Sequence, residues 1–281
     1  MPDVFSTIGP FTFRTYTFLI GVGIIISGVW AIYALRETHR AGRIVDAGIA
    51  GLISGLIVSR GFHVLLNWVY FSEHTAEITE IKSGGLNWHG AVIGAFIAIV
   101  IVGRIRKLDI PALLGALAPA VLIIGFMAWW GCGSANCSYG MEVDNLSNYP
   151  SWLVWEARDI YNLIFPRYRT QALGMGLAFV LIVLFIAIIR RDLLSRHPAR
   201  RFWLMLGLFS LSMFGLGYLR GDYAYMFELG SLGELRADQV LDLGFMLMSS
   251  MIFLWRSSQL WQHAPKEESE ISVNQSNATE S

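Results

Sequence analysis

The stretch Ser83–Val100, SGGLNWHGAVIGAFIAIV, decides how the rest of the chain is read. Gly84 and Gly85 open a turn, and His89 follows at the mouth of an apolar run. Gly90 and Gly94 sit four apart in the first turns of that run. Read as a membrane helix, the run puts His89 near its water-facing end. The two glycines strip bulk from the helix, so a neighbouring helix or a lipid can approach the backbone closely. A titratable ring at the lip of a membrane helix suits proton transfer to a substrate that stays in the bilayer. The same residues also fit an interfacial histidine beside a packing seam, and the stretch alone does not choose between them.

Working outward, the 281-residue chain is 54% hydrophobic and 15% charged, with a mean hydropathy of +0.51. A soluble domain of this size carries about 25% charged residues, so the deficit reads as a polytopic membrane protein. Seven segments are long or apolar enough to span a bilayer, which takes about 20 helical residues. They fall near 14–35, 45–68, 88–104, 110–130, 171–189, 202–219 and 238–256. The opening Met1–Pro10 is polar and turn-like, unlike a cleavable signal peptide, so the first apolar run is expected to be a retained helix.

Basic residues alternate with the spans. Arg36, Arg40 and Arg43 follow the first; Arg104, Arg106 and Lys107 the third; Arg190, Arg191, Arg196, Arg200 and Arg201 the fifth; Arg256 the seventh. The other connections are acidic or mixed, so the positive-inside rule puts the N-terminus outside and the C-terminus in the cytoplasm. The expected fold is an all-α bundle of seven transmembrane helices over residues 1–264, with an extracytoplasmic region at 131–169. In that region Tyr149, Trp152, Trp155, Tyr161 and Phe165 stand among charges, as suits headgroup depth. The tail 265–281, rich in Ser, Glu and Asn, is expected to be disordered and cytoplasmic.

Several residues could carry chemistry. Arg60, His63 and Asn67 share one helical stripe in the second span, and Gly51, Gly55 and Ser59 form a small-residue row. An arginine at membrane depth costs roughly 2.5–3.5 kcal/mol unless paired or hydrated. Arg60 therefore either snorkels or faces an anionic group, for which its planar fork is suited. Arg220 and Asp222 straddle a glycine after the sixth span and read as a mutual pair or, with Arg60, as a phosphate clamp. Asp242 reads as capped or paired rather than catalytic. Cys132 and Cys137 flank GSAN; a disulfide and two ordinary thiols are both open, and the neighbouring residues do not complete a metal site. The sequence carries no serine–histidine–carboxylate arrangement, nucleotide loop or nucleic-acid patch, and no cofactor is expected.

Together these stretches resemble the prolipoprotein diacylglyceryl transferase family of bacterial inner-membrane enzymes. PDVFSTIGPFTFRTY is similar to the family's opening, DAGIAGLISGLIVSRGFHVLLNW to its second helix, and GGLNWHGAVIG to its Gly-Gly-x-x-x-His-Gly-Gly-x-x-Gly element. The later half departs. The family's Gly-Arg-x-Gly-Asn-Phe-x-Asn-x-Glu-x-x-Gly falls on Ala128–Gly140, where Trp129 takes the arginine position, Cys132 and Ala135 the asparagines and Cys137 the glutamate. YRTQALG is loosely similar to the family's His-Pro-x-Gln-Leu-Tyr-Glu. GLGYLRGD matches the element Arg-x-x-x-Glu-x-x-Arg at Arg220, with Met213 and Gly217 at the earlier arginine and the glutamate.

The resemblance implies transfer of the diacylglyceryl group of phosphatidylglycerol to the lipobox cysteine of a preprolipoprotein, with no metal or nucleotide. His89 would be the general base for the thiol. Arg60 and Arg220, with Asp222, would handle the phosphate; Asn136 and Tyr139 would add hydrogen bonds, and Gly90 would admit the lipid. The replaced signature keeps two other outcomes open. One is a non-catalytic relative that binds lipid or a membrane partner; the other is transfer between other lipids and thiols, with Cys132 and Cys137 in redox control.

Overall fold

The computed structural model describes residues 3–8, 11–81, 84–159, 161–224, 226–228 and 234–262. Gly9 and Pro10 of the opening turn, Ser83, and the tail 265–281 lie outside them. A hairpin, β1 (Val4–Ile8) and β2 (Phe11–Arg14), leads into α1 (Thr15–Leu35). Then come α2 (Ala41–Leu66), the short α3 (Trp68–Glu73), α4 (Trp88–Ile105) and α5 (Ile110–Ala135). A second hairpin, β3 (Val154–Arg158) and β4 (Ile164–Tyr168), precedes α6 (Thr170–Arg190) and α7 (Ala199–Gly217). The third, β5 (Met226–Glu228) and β6 (Glu234–Arg236), precedes α8 (Ala237–Gln262).

Among the described residues six helices, α1, α2, α4, α5, α6 and α8, are long and apolar enough to cross a membrane. Ile25, Val29, Ile57, Val180 and Met251 on their outward faces are all more than half exposed. Such an apolar exterior would be a liability in water and is the natural surface in lipid. The remaining long helix, α7, has 19 residues and opens on Arg200 and Arg201, which lowers its apolar character. It is well enclosed: Phe202, Trp203, Met205, Leu206 and Phe209 pack with Leu114 and Leu122 of α5, Phe185 of α6 and Phe245 of α8. A second apolar cluster joins Ala31 and Leu35 of α1, Ile44 and Ala47 of α2, and Leu113 and Ala116 of α5.

The chain is mostly helical, and to the all-α expectation the structure adds, among the described residues, three two-stranded antiparallel hairpins. Their strands run only three to five residues, too short for a period-two pattern to stand out. The hairpins gather at one end of the bundle. There Tyr16 of α1 meets Gly131 of α5, Trp129 of α5 meets Gly174 of α6, and Gln239 of α8 meets Gly217 of α7. At the opposite end the described connections are 36–40, 106–109 and 191–198, which carry Arg36, Arg40, Arg106, Lys107, Arg191 and Arg196. Long connections and hairpins at one end, short basic ones at the other, leave a single end that can hold an elaborate site.

Candidate functional site

At that end α4 begins on Asn87. Its Oδ1 accepts from the Gly90 N–H at 3.1 Å, filling one of the orphan donors of the first turn. The Asn87 backbone is tied to Ser59 of α2 in both directions, at 2.8 and 3.2 Å. A Cβ built on Gly90 would stand 2.7 Å from the Val58 carbonyl, and one on Gly94 2.6 Å from that of Ser54. The space beside both glycines is therefore filled by α2. Of the two neighbours the sequence allows at Gly90, a helix or a lipid, the space is taken by the helix.

His89, in the first turn of α4, is fully buried. Its Nε2 lies 2.9 Å from Oδ1 of Asp242 on α8, with the two side chains 0% and 3% exposed. The rings of Trp88 and Phe245 lie against it, centroids at 4.0 and 5.2 Å. Nδ1 is buried and has no hydrogen-bond partner among the described residues. With the ring neutral and Asp242 ionised, a carboxylate at Nε2 favours the tautomer with the proton there, which puts the lone pair on Nδ1. The sequence reading of a ring at a water-facing lip is thus corrected to an enclosed one.

Asp242 is held in place by its own helix. One turn earlier, Asp238 accepts from Arg220 at 2.6 Å and from Arg236 at 3.1 Å. Arg220 also grips Asp222 with two hydrogen bonds, at 2.9 and 2.6 Å, and Arg236 donates to the Asp222 carbonyl at 2.8 Å. Two guanidiniums and two carboxylates make this cluster neutral. Burial pulls the Arg220 guanidinium down, but the hydrogen bonds and charge of Asp222, with Asp238 and Asp242, outweigh it and hold it above the usual arginine range. The backbone pins the same place, since the Gly221 N–H donates to the Tyr139 carbonyl at 2.9 Å. The mutual-pair alternative for Arg220 and Asp222 is the geometry found, enlarged by Arg236 and Asp238.

Arg60 is spoken for. Its guanidinium donates to the carbonyls of Ile78, Gly84, Gly85 and Glu77, at 2.9, 2.8, 3.1 and 2.6 Å. Gly84 and Gly85 take positive φ of 93° and 71°, which turns their carbonyls inward without strain. The partners found for Arg60 are thus backbone carbonyls, which hold the connection before α4 in shape.

A cavity of about 640 Å³ opens at the same end, between the last turn of α5, the first turn of α6 and β3. Trp129, Trp130, Trp155, Arg158, Arg169, Gln171 and Asn136 line it, with Asp3 and Glu156. His89, Arg60 and Arg220 do not. Arg169 lies over the Trp155 ring at 4.8 Å and donates to the Ser151 carbonyl at 3.2 Å, while its buried Nε has no partner among the described residues. Next to the lining residues Gly133, Ser134 and Asn136, a disulfide joins Cys132 and Cys137, with Cα atoms 4.7 Å apart. Asn136, at φ 52°, ends α5 in the left-handed region. Arg167, by contrast, is buried on Glu142 at 2.6 Å and Asp159 at 3.4 Å. Tyr139 lies under the Arg167 guanidinium at 4.8 Å. Burial, then the carboxylates of Asp159 and Asp222, push its phenol above the usual tyrosine range, so it keeps its proton as a donor.

A family model described as prolipoprotein diacylglyceryl transferase matches residues 2–255. The chain belongs to this family. It is 28% identical over 270 residues to the phosphatidylglycerol–prolipoprotein diacylglyceryl transferase of Geobacillus kaustophilus, covering 93% of this chain and 94% of that protein. It is 26% identical over 287 residues to the protein of the same name from Staphylococcus haemolyticus, covering 99% and 95%. The protein of that name from Lysinibacillus sphaericus is 27% identical over 246 residues, covering 84% and 85%.

Trp129, which lines the cavity, is buried against Gly174, whose missing side chain leaves room for the indole. Sequence reasoning misses mainly the pairing: Asp242 reads as capped or paired, but its partner lies 153 residues away.

Proposed function

We propose that this chain transfers the diacylglyceryl group of phosphatidylglycerol to the lipobox cysteine thiol of preprolipoproteins. In this reading it is a seven-span protein of the bacterial inner membrane, with α7 as the added span, the N-terminus outside and the C-terminus in the cytoplasm. Residues 1–264 act as one membrane domain whose hairpin end faces outward. The observation that carries the reading is the enclosed His89 ring, held by a carboxylate at one nitrogen and bare at the other.

The chemistry follows from what the reaction needs. Free cysteine has a pKa near 8.5, so a base raises the thiolate fraction. His89 Nδ1 takes the thiol proton. The sulfur then attacks the glycerol carbon bonded to the phosphate oxygen: a C–S bond forms, the C–O bond breaks, and glycerol phosphate leaves as an anion. Because Trp88 and Phe245 enclose the ring, substrate binding has to move one of them before a thiol reaches Nδ1. Arg220, held through Asp238 one helical turn from Asp242, is the cation assigned to the leaving phosphate, exchanging a carboxylate for it. Arg158 and Arg169, with Asn136 and Gln171, are assigned to docking of an anionic headgroup as the lipid enters. Tyr139 braces the Arg167 side of this end.

One observation favours a second reading, a lipid-binding relative without catalysis: Arg60 and Arg220 are both engaged by internal partners. Expression of the chain in bacteria depleted of their own diacylglyceryl transferase separates the two. The transferase reading expects a fatty-acid-labelled reporter lipoprotein with the native chain and none with His89→Gln at equal membrane abundance. Failure of the correctly inserted native chain to label the reporter would leave the binding reading.

A further inference from the structure

We infer that Asp242 is a positioning residue for the transfer, fixing His89 in the tautomer whose Nδ1 accepts the thiol proton. The inference rests on the reading of His89 as the base and goes beyond it by assigning a role to a residue 153 positions away.

Three features carry it. The first is the contact, 2.9 Å between side chains that are 0% and 3% exposed, so the carboxylate meets no competing water. An imidazole has two nitrogens and one proton to place when neutral, and an ionised carboxylate accepts only. The proton therefore sits on Nε2, and basicity is directed to Nδ1. The second is that the buried Nδ1 has no hydrogen-bond partner among the described residues. A buried polar atom without a partner is uncommon and asks for a reason, and an acceptor awaiting a substrate proton is such a reason. Were Asp242 there for packing alone, nothing would require the other nitrogen to stay free.

The third is the clamp behind Asp242. Asp238 precedes it by one helical turn and is held by Arg220 and Arg236, which are themselves held by Asp222. The start of α8 is thus fastened to the segment that follows α7, and Phe245, one turn after Asp242 in the other direction, lies against the imidazole. The carboxylate is set by a rigid helix whose charged neighbours are already neutralised. It is free to stabilise the imidazolium when the thiol proton arrives and to release it afterwards, without becoming protonated itself.

The test compares Asp242→Asn, Asp242→Glu and His89→Gln in purified full-length protein, with phosphatidylglycerol in mixed micelles and a lipobox peptide. The amide is nearly isosteric, but its NH2 can donate to Nε2 and move the proton to Nδ1. Asp242→Asn is expected to lower kcat by about 10²–10⁴-fold, the range of a lost general base, with KM for both substrates within about threefold of native. Asp242→Glu should recover part of the rate. Ring-nitrogen NMR of histidine-labelled protein, with His89 assigned by its loss in His89→Gln, should show Nε2–H in the native chain and Nδ1–H in Asp242→Asn. If Asp242→Asn keeps a native kcat while His89→Gln is inactive, the positioning role is wrong and the base stands. An active His89→Gln overturns both. A loss in Asp242→Asn that merely tracks the folded fraction, with Nε2–H retained, makes the aspartate structural and overturns the inference.

Discussion

The two halves of the hairpin end solve the same electrostatic problem in opposite ways. Around the starts of α4 and α8 the charges have partners: Arg220 and Arg236 meet Asp222 and Asp238, and Asp242 meets Nε2 of the His89 ring. Around α5, α6 and β3, Arg158 and Arg169 border open space, and Arg169 stacks on an indole with its Nε unmatched among the described residues. Charge taken out of water has to be compensated nearly one for one, or the fold loses several kcal/mol per ion. The closed half therefore commits its charges to geometry, with one nitrogen left bare. The open half leaves charges available to a ligand.

That contrast breaks most sharply at the bare nitrogen. His89→Gln is expected to cut lipidation by about 10²–10⁴-fold while thermal unfolding in detergent changes less, since an amide can still bond Asp242. A fall in stability that accounts for the whole activity loss would put His89 among the structural groups. Next in size, Arg60→Met strips a cation from four backbone carbonyls. The expected cost is on the order of 3 kcal/mol, read as a lower melting temperature and faster amide exchange across 75–85, with KM for phosphatidylglycerol unchanged. A raised KM would return Arg60 to the lipid.

Removing the disulfide by Cys132→Ser with Cys137→Ser should cost about 2 kcal/mol, as a very short closed loop allows, and leave most of the lipidation rate. Protease resistance of the 131–140 segment and the labelling assay together check it. The smallest effect is expected in the open half. Arg169→Met should raise KM for phosphatidylglycerol about tenfold, roughly 1.4 kcal/mol, with kcat unchanged. An unaltered KM would mean that the cavity does not meet the headgroup.

Much of the bundle is legible in the sequence because hydropathy and charge alternation are local. The six helices α1, α2, α4, α5, α6 and α8 fall where the apolar runs fall, and the basic residues mark the end with short connections. The glycines of the opening stretch read correctly as a turn followed by a close helix contact. The hairpins are not legible, since strands of three to five residues give no periodic signal. At the site, His89 can be singled out by its residue type and place. Its burial cannot, because the side chains that cover it include Asp242 and Phe245 of a helix far along the chain. The partners of Arg60 and Arg220 are hidden for the same reason: an arginine advertises its charge in sequence, while the carbonyls and carboxylates that engage it are scattered.

Trp129 and Gly174 act as a key and its keyhole, and so they constrain how such a chain can change. An arginine at 129 would open an indole-sized void beside Gly174 and set a cation where an aromatic ring is now packed. An arginine at 129 is therefore a two-residue step: it comes at a tolerable cost only if position 174 gains bulk together with it, since a side chain at 174 would overlap the present indole.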